Sequence, residues 1–180
     1  MQRRVFIAIN IPELVKKRLA QKTGKWADLP VRWAPENNLH LTLAFLGYVE
    51  DEKILSICDA VNKAVKNFES FEISFSKITI GPSENQPRMI WVVGEKSNKL
   101  KLLVEEIEKS LKTFQREKKT FSPHITLGRI TKEKWRKLSP KPEINELINF
   151  VIPVDKIEIM ESLLKKGQRK YLLLESFSLL

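Results

Sequence analysis

The stretch Asn38-Leu39-His40-Leu41-Thr42-Leu43-Ala44-Phe45-Leu46-Gly47 decides how this chain folds, because its central phrase is written twice. His40-Leu41-Thr42-Leu43 returns as His124-Ile125-Thr126-Leu127, and the chain holds no other histidine. With 7 Thr and 22 Leu in 180 residues, chance supplies both copies at odds on the order of 10⁻⁵, so the phrase is a motif. A strand sends successive side chains to opposite faces. Each His therefore shares a face with the Thr two residues on, and the Leu and Ile beside them take the other face.

Reading outward from the first copy, Arg3 to Asn10 has the composition of a short strand. Asn10 can cap a helix with Pro12 and Glu13 in its first turn, running to about Gln21. A loop carrying Pro30 and Pro35 leads to the strand Leu39–Leu46, ended at Gly47. Ile54, Ile57, Cys58, Val61, Val65 and Phe68 then fall on one helical face, and Phe71–Ile80 alternates as a strand stopped by Gly81-Pro82. The second half repeats this order. Arg88–Gly94 is a strand, Asn98 to Phe114 an amphipathic helix, and the second His strand closes near Ile130. A Pro-broken helical region covers about Lys132 to Phe150, and Val154–Met160 is a strand. The opening strands are offset by 85 residues, the histidines by 84 and the third strands by 79. This near-constant offset implies one α+β domain over 1–180, built from duplicated β-α-β-α-β lobes at about 3–80 and 88–160. A closing strand at about 169–178 completes one sheet. A pseudo-twofold axis between the lobes brings His40 and His124 face to face across a groove.

Composition bounds the function. The chain has 42% hydrophobic and 30% charged residues, which suits a soluble globular protein. The single cysteine, Cys58, permits no internal disulfide and fits a reducing compartment, the cytoplasm. The apolar run Val5–Ile9 is too short for a signal peptide and no stretch reaches membrane-spanning length. A net charge of +10 attracts polyanions such as nucleic acid, although lysine- and glutamate-rich surfaces are common for other reasons.

Two imidazoles are the parts of paired acid–base chemistry. Histidine's ordinary pKa of about 6.5 lets one ring take a proton while the other gives one. Around a single phosphorus such a pair can drive in-line phosphodiester hydrolysis, with fixed donors for the non-bridging oxygens. Thr42 and Thr126, about 6–7 Å along the strand from each His Cα, are placed to supply them. Arg129 is ambiguous: strict alternation from His124 turns it away from the groove, whereas a bulge at Gly128 turns it in. Two histidines fall short of the three or four ligands of a metal site, and no Gly-x-Ser-x-Gly elbow or phosphate-cradling glycine loop is present. The expected mechanism uses no cofactor and no metal.

The Asn38–Gly47 stretch, together with Ser122-Pro123-His124-Ile125-Thr126-Leu127-Gly128-Arg129, resembles the two-histidine (2H) phosphoesterases over essentially the whole chain. The nearest branch is the RNA 2′,3′-cyclic phosphodiesterases, also called 2′-5′ RNA ligases. That resemblance implies antiparallel sheets around a central cleft and opening of an RNA 2′,3′-cyclic phosphate to a 2′-phosphate. By it, His40 is the proton donor to the departing 3′ oxygen and His124 the acceptor that activates water. Thr42, Thr126 and Arg129 match the positions that hold the phosphate. The implied partner is RNA with cyclic-phosphate ends, tRNA fragments being candidates, handled by a monomer with no membrane. Arg3, Arg4, Arg32, Trp33, Phe45 and Arg88 are possible RNA contacts, whereas Trp26, Trp91 and Trp135 read as packing residues. Three alternatives stay open: small cyclic nucleotides as substrates, 2′-5′ ligation, and a non-catalytic basic RNA-binding module.

Overall fold

In a computed structural model that describes residues 1–112 and 121–180, strands and helices alternate as the sequence reading expects. The first half contains β1 (Gln2–Asn10), α1 (Glu13–Thr23), β2 (Val31–Trp33), β3 (His40–Glu50), α2 (Ile54–Val65) and β4 (Phe71–Ser83). The second contains β5 (Gln86–Gly94), α3 (Asn98–Ser110), β6 (His124–Ile130), α4 (Lys132–Arg136), β7 (Asn145–Val154), β8 (Lys156–Lys165) and β9 (Gln168–Ser178). The tail of the expected third helix, to Phe114, lies partly outside the described residues.

All strand pairs are antiparallel, in the order β7-β4-β5-β6-β3-β1-β8-β9, with β2 also on β6. The centre of this order is its weakest joint. β3 and β6 share a single ladder pair, Leu41 with Ile125, whereas β1–β3 and β5–β6 are paired along most of their length. The sheet therefore divides into two four-stranded lobes, β3-β1-β8-β9 and β6-β5-β4-β7, related by a pseudo-twofold that exchanges β3 with β6 and β1 with β5. The lobes are not the two sequence repeats. β4 ends the first repeat but pairs with β5 in the second lobe, and β8 ends the second repeat but pairs with β1 in the first. The cause of the first exchange is local: β4 and β5 meet at a tight turn between Ser83 and Gln86, and antiparallel neighbours joined by such a turn pair directly.

Three expectations are corrected. The helical region from Lys132 to Phe150 is helical only to Arg136, because Pro140 and Pro142 end it. Asn145–Val154 is instead an edge strand whose exposure alternates, and Pro153 is tolerated at that edge. Gly81-Pro82 does not stop β4, which continues to Ser83 opposite Gln86, and Gly47, at φ +74°, lies within β3 rather than ending it. The loop before β3 also yields the three-residue strand β2, paired with β6.

One hydrophobic core spans both lobes. Val5, Ile7, Ile9, Leu41, Ile90, Val92 and Ile125 face α2 (Ile57, Val61, Val65) and α3 (Leu100, Leu103, Val104, Ile107). The α3 N-terminus is capped by Ser97, whose Oγ accepts from the Leu100 N–H at 3.3 Å. Among the described residues no helix is long and apolar enough to cross a membrane. Since Ile125 is fully buried at the one ladder pair between β3 and β6, Ile125→Ala should cost about 2–5 kcal/mol by cavity formation. Urea denaturation should show a single transition moved to lower concentration.

Candidate active site

The joint assembles the motifs. With Leu41 opposite Ile125 in antiparallel register, His40 stands across from Thr126 and His124 across from Thr42. All four side chains face away from the core, into the cleft between the lobes. The histidines are diagonal neighbours, for which antiparallel geometry gives a Cβ separation of about 7–8 Å or less.

The two rings are held alike. His40 Nδ1 lies 2.7 Å from the Asn38 carbonyl oxygen and His124 Nδ1 lies 2.7 Å from that of Ser122. A carbonyl only accepts, so Nδ1 carries the proton and donates in both, which leaves the lone pair of each neutral ring on Nε2. The asymmetry begins at Nε2. That of His40 accepts from the Thr42 hydroxyl at 2.9 Å, whereas the Thr126 hydroxyl contacts Met89 Sδ at 3.9 Å. Both imidazoles are held below their ordinary pKa. Burial is the main cause for each, opposed by the carbonyl bond; for His40 the positive charges of His124 and Lys16 lower it further.

A matched pair of bulges aims the residues beyond the motifs. Leu43 is unpaired opposite the β1 step Ile7–Ala8, and its counterpart Leu127 is unpaired opposite the β5 step Ile90–Trp91. The small residues that follow, Ala44 and Gly128, are buried too. At Gly128 a Cβ would come within 2.5 Å of Val31 Cγ1, so the paired strand β2 leaves room only for glycine. The extra residue in each strand reverses the alternation, and Arg129 rejoins the cleft face paired with Met89. Phe45 is its pseudo-symmetric counterpart, paired with Phe6 and 61% exposed.

The walls also include side chains that the sequence reading passed over. The Trp91 indole stacks on His124 at 4.0 Å between ring centroids, inclined by 21°. It is not merely packing, and Gly81 is small because a Cβ there would sit 2.2 Å from that indole. His40 lies between Phe6 at 4.9 Å and Tyr171 of β9 at 5.1 Å. The Nδ2 of Asn38 donates to the Arg169 carbonyl at 2.7 Å, which ties the β8–β9 hairpin to the residue that anchors His40. No spacing in the sequence signals these long-range contacts. Lys16, nearly buried on α1, is ion-paired with Glu13 at 2.8 Å and adds positive charge near His40 and Glu158. Burial raises the Glu158 carboxyl, an effect opposed chiefly by Lys16.

Of the other RNA-contact candidates, Arg4 and Phe45 share the cleft face. Arg32 is exposed opposite Arg129, and Trp33 packs against Gly128. Arg3 is committed to Asp51 and Glu161. Arg88 lines a recess of about 710 Å³ beside α4 and the β4–β5 turn, away from the histidines. Among the described residues no three His, Cys, Asp or Glu side chains are grouped to hold a metal ion.

Two antiparallel lobes meeting at paired His-x-Thr strands define a two-histidine phosphoesterase fold. The model of the LigT-like phosphoesterases matches residues 9–91. The RNA 2′,3′-cyclic phosphodiesterase of Thermotoga maritima is 34% identical over 89% of this chain and 87% of its own. That of Methanocaldococcus jannaschii is 31% identical over 71% of each. Among solved structures, a Thermus thermophilus protein superposes with a TM-score of 0.83 at 27% identity, covering 98% of this chain and 97% of its own. Escherichia coli LigT complexed with 3′-AMP gives 0.82 at 22% identity over 99% of both chains, a likeness of fold. The chain belongs to the LigT-like 2H phosphoesterase family.

Proton NMR titration should place both imidazole midpoints below about 6.5, the ordinary value. Because His124, when charged, opposes protonation of His40, His124→Ala should raise the His40 midpoint. An unchanged or lower midpoint would remove the electrostatic link between the rings.

Proposed function

We propose that this protein is a metal-independent RNA 2′,3′-cyclic phosphodiesterase that leaves a 2′-phosphomonoester. The observation that carries this reading is the matched anchoring of both Nδ1 atoms, which puts two Nε2 lone pairs on one face of the interlobe joint. The relatives' names supply the substrate class.

The cyclic phosphate lies between the imidazoles, its non-bridging oxygens held by the Thr42 and Thr126 hydroxyls and by Arg129. His124 Nε2 takes a proton from water as the oxygen attacks phosphorus. The bond from phosphorus to O3′ breaks in line, and His40 Nε2–H gives its proton to the departing oxygen. The products are a 2′-phosphate and a 3′-hydroxyl, and a proton returned from His124 to His40 through solvent closes the cycle. His40 must be protonated for this, and burial of its ring disfavours that state. The bound phosphodiester anion offsets the disfavour by placing a negative charge beside the ring. The Thr42 oxygen, 2.9 Å away, can then accept from the protonated Nε2.

His40→Ala and His124→Ala should each lower kcat by at least about 10²–10⁴ with the fold intact by circular dichroism. In the presence of a chelator, a cyclic-ended oligonucleotide should keep its phosphate on the 2′ oxygen. Full activity in either variant, or phosphate retained on the 3′ oxygen, would defeat the proposal. The pH dependence of kcat/KM follows from the free-enzyme imidazoles. The base must be neutral and the acid charged, so the rate peaks midway between the two pKa values whichever ring plays which part. Both values are lowered, so the optimum should fall below about pH 6.5. A maximum above pH 7 would contradict the assignment.

A further inference from the structure

On the first lobe the cleft face continues well past the histidines. Phe6, Phe45, Arg4 and Tyr48 follow one another along β1 and β3, since Phe6 pairs with Phe45 and Arg4 with Tyr48. Tyr48 is 65% exposed. Among the described residues Arg4 makes no ion pair, although its neighbour Arg3 makes two. Over the His40 end of this surface stands the β8–β9 hairpin. Its ladder with β1 ends at Glu161, but its own pairing continues to Lys165 and Gln168, so its tip projects as a two-stranded arm. Lys166 and Gly167 close the arm at φ +49° and +76°, a pairing of left-handed residues that makes a tight, strand-compatible turn. Lys165, Lys166, Arg169 and Lys170 crowd this tip, and no acidic residue lies between Leu163 and Leu174. The arm is continuous with the catalytic cleft: Tyr171 touches His40, and the Arg169 carbonyl accepts from Asn38.

We infer that the basic tip of the β8–β9 arm, at the His40 end, and Arg4 with Tyr48, farther along β1 and β3, line one extended binding track for the single-stranded nucleotides preceding the cyclic-phosphate terminus. An exposed aromatic stacks a base without regard to its identity, and cations alongside it track the phosphates. This inference rests on the proposed activity and extends it, since it makes the enzyme selective for oligonucleotides over mononucleotides. The other lobe lacks the arrangement: its counterpart of Phe45 is Arg129, a single cation at the phosphate.

The test compares a 2′,3′-cyclic mononucleotide with a six-nucleotide RNA ending in the same cyclic nucleotide. The wild type is set against Tyr48→Ser and against the triple variant Lys165→Ser/Lys166→Asn/Lys170→Ser. All four substituted side chains are exposed, and asparagine suits the turn. The wild type should have the larger kcat/KM on the hexamer. Tyr48→Ser should lower that value about tenfold, the scale of one lost base stack. The triple variant should flatten its dependence on log salt by about 2, at roughly 0.7 per phosphate contact on a single strand. Hydrolysis of the mononucleotide should be unchanged in both. Equal wild-type values for the two substrates, or equal losses on both in the variants, would overturn the inference and leave the activity standing. Should the wild type cleave neither substrate, the activity itself falls. Fluorescence anisotropy with a labelled hexamer then decides the site alone, and binding that both variants match would overturn it.

Discussion

One backbone ladder pair, Leu41 with Ile125, sets the geometry of the site. It is the only register point between β3 and β6, and it joins two sheets that are otherwise complete. Because side chains alternate along a strand, that register decides which residues share the cleft. A one-residue slip of either strand would send its own histidine into the hydrophobic core and turn its Leu41 or Ile125 out to water. Full burial of those two side chains opposes the slip, so the energy that folds the protein also fixes the spacing of the imidazoles.

The pseudo-symmetry is deep in the backbone and shallow at the chemistry. Matched bulges at Leu43 and Leu127, and matched carbonyl anchors at Asn38 and Ser122, make the two motifs equivalent as scaffolds. The side chains mounted on them differ. His40 is enclosed by Phe6 and Tyr171 and feels Lys16, whereas His124 stacks on Trp91. Arg129 stands where the other lobe has Phe45. In the proposed reaction the duplicated scaffold would grip one phosphorus from two sides, and the divergence on top of it would distinguish the two rings.

Much of this was legible in the sequence. The repeated His-x-Thr phrase and the 84-residue offset revealed the duplication, because period-two alternation is a local property that survives without tertiary context. Gly128 hinted at the bulge that turns Arg129 inward. What escaped was non-local. β4 and β8 change lobes because strand pairing follows turns and available edges, which no spacing records. Asn145–Phe150 reads as helix in the sequence because Pro140 and Pro142 mask the start of an alternation that belongs to the edge strand, and that edge tolerates Pro153 where a helix interior does not. Trp91 looked like a packing residue because its partners, Gly81 and His124, lie on other strands. Tyr171, in the closing strand, reaches His40 only through a hairpin that arches back over the cleft.

The most direct measurement is a crystal structure with a nucleoside 2′-monophosphate, the product of the proposed reaction. The phosphate should lie between the two imidazoles, with an oxygen within about 3 Å of each Nε2 and Arg129 turned toward it. A phosphate touching only one ring, or lodged in the recess beside α4, would contradict this arrangement.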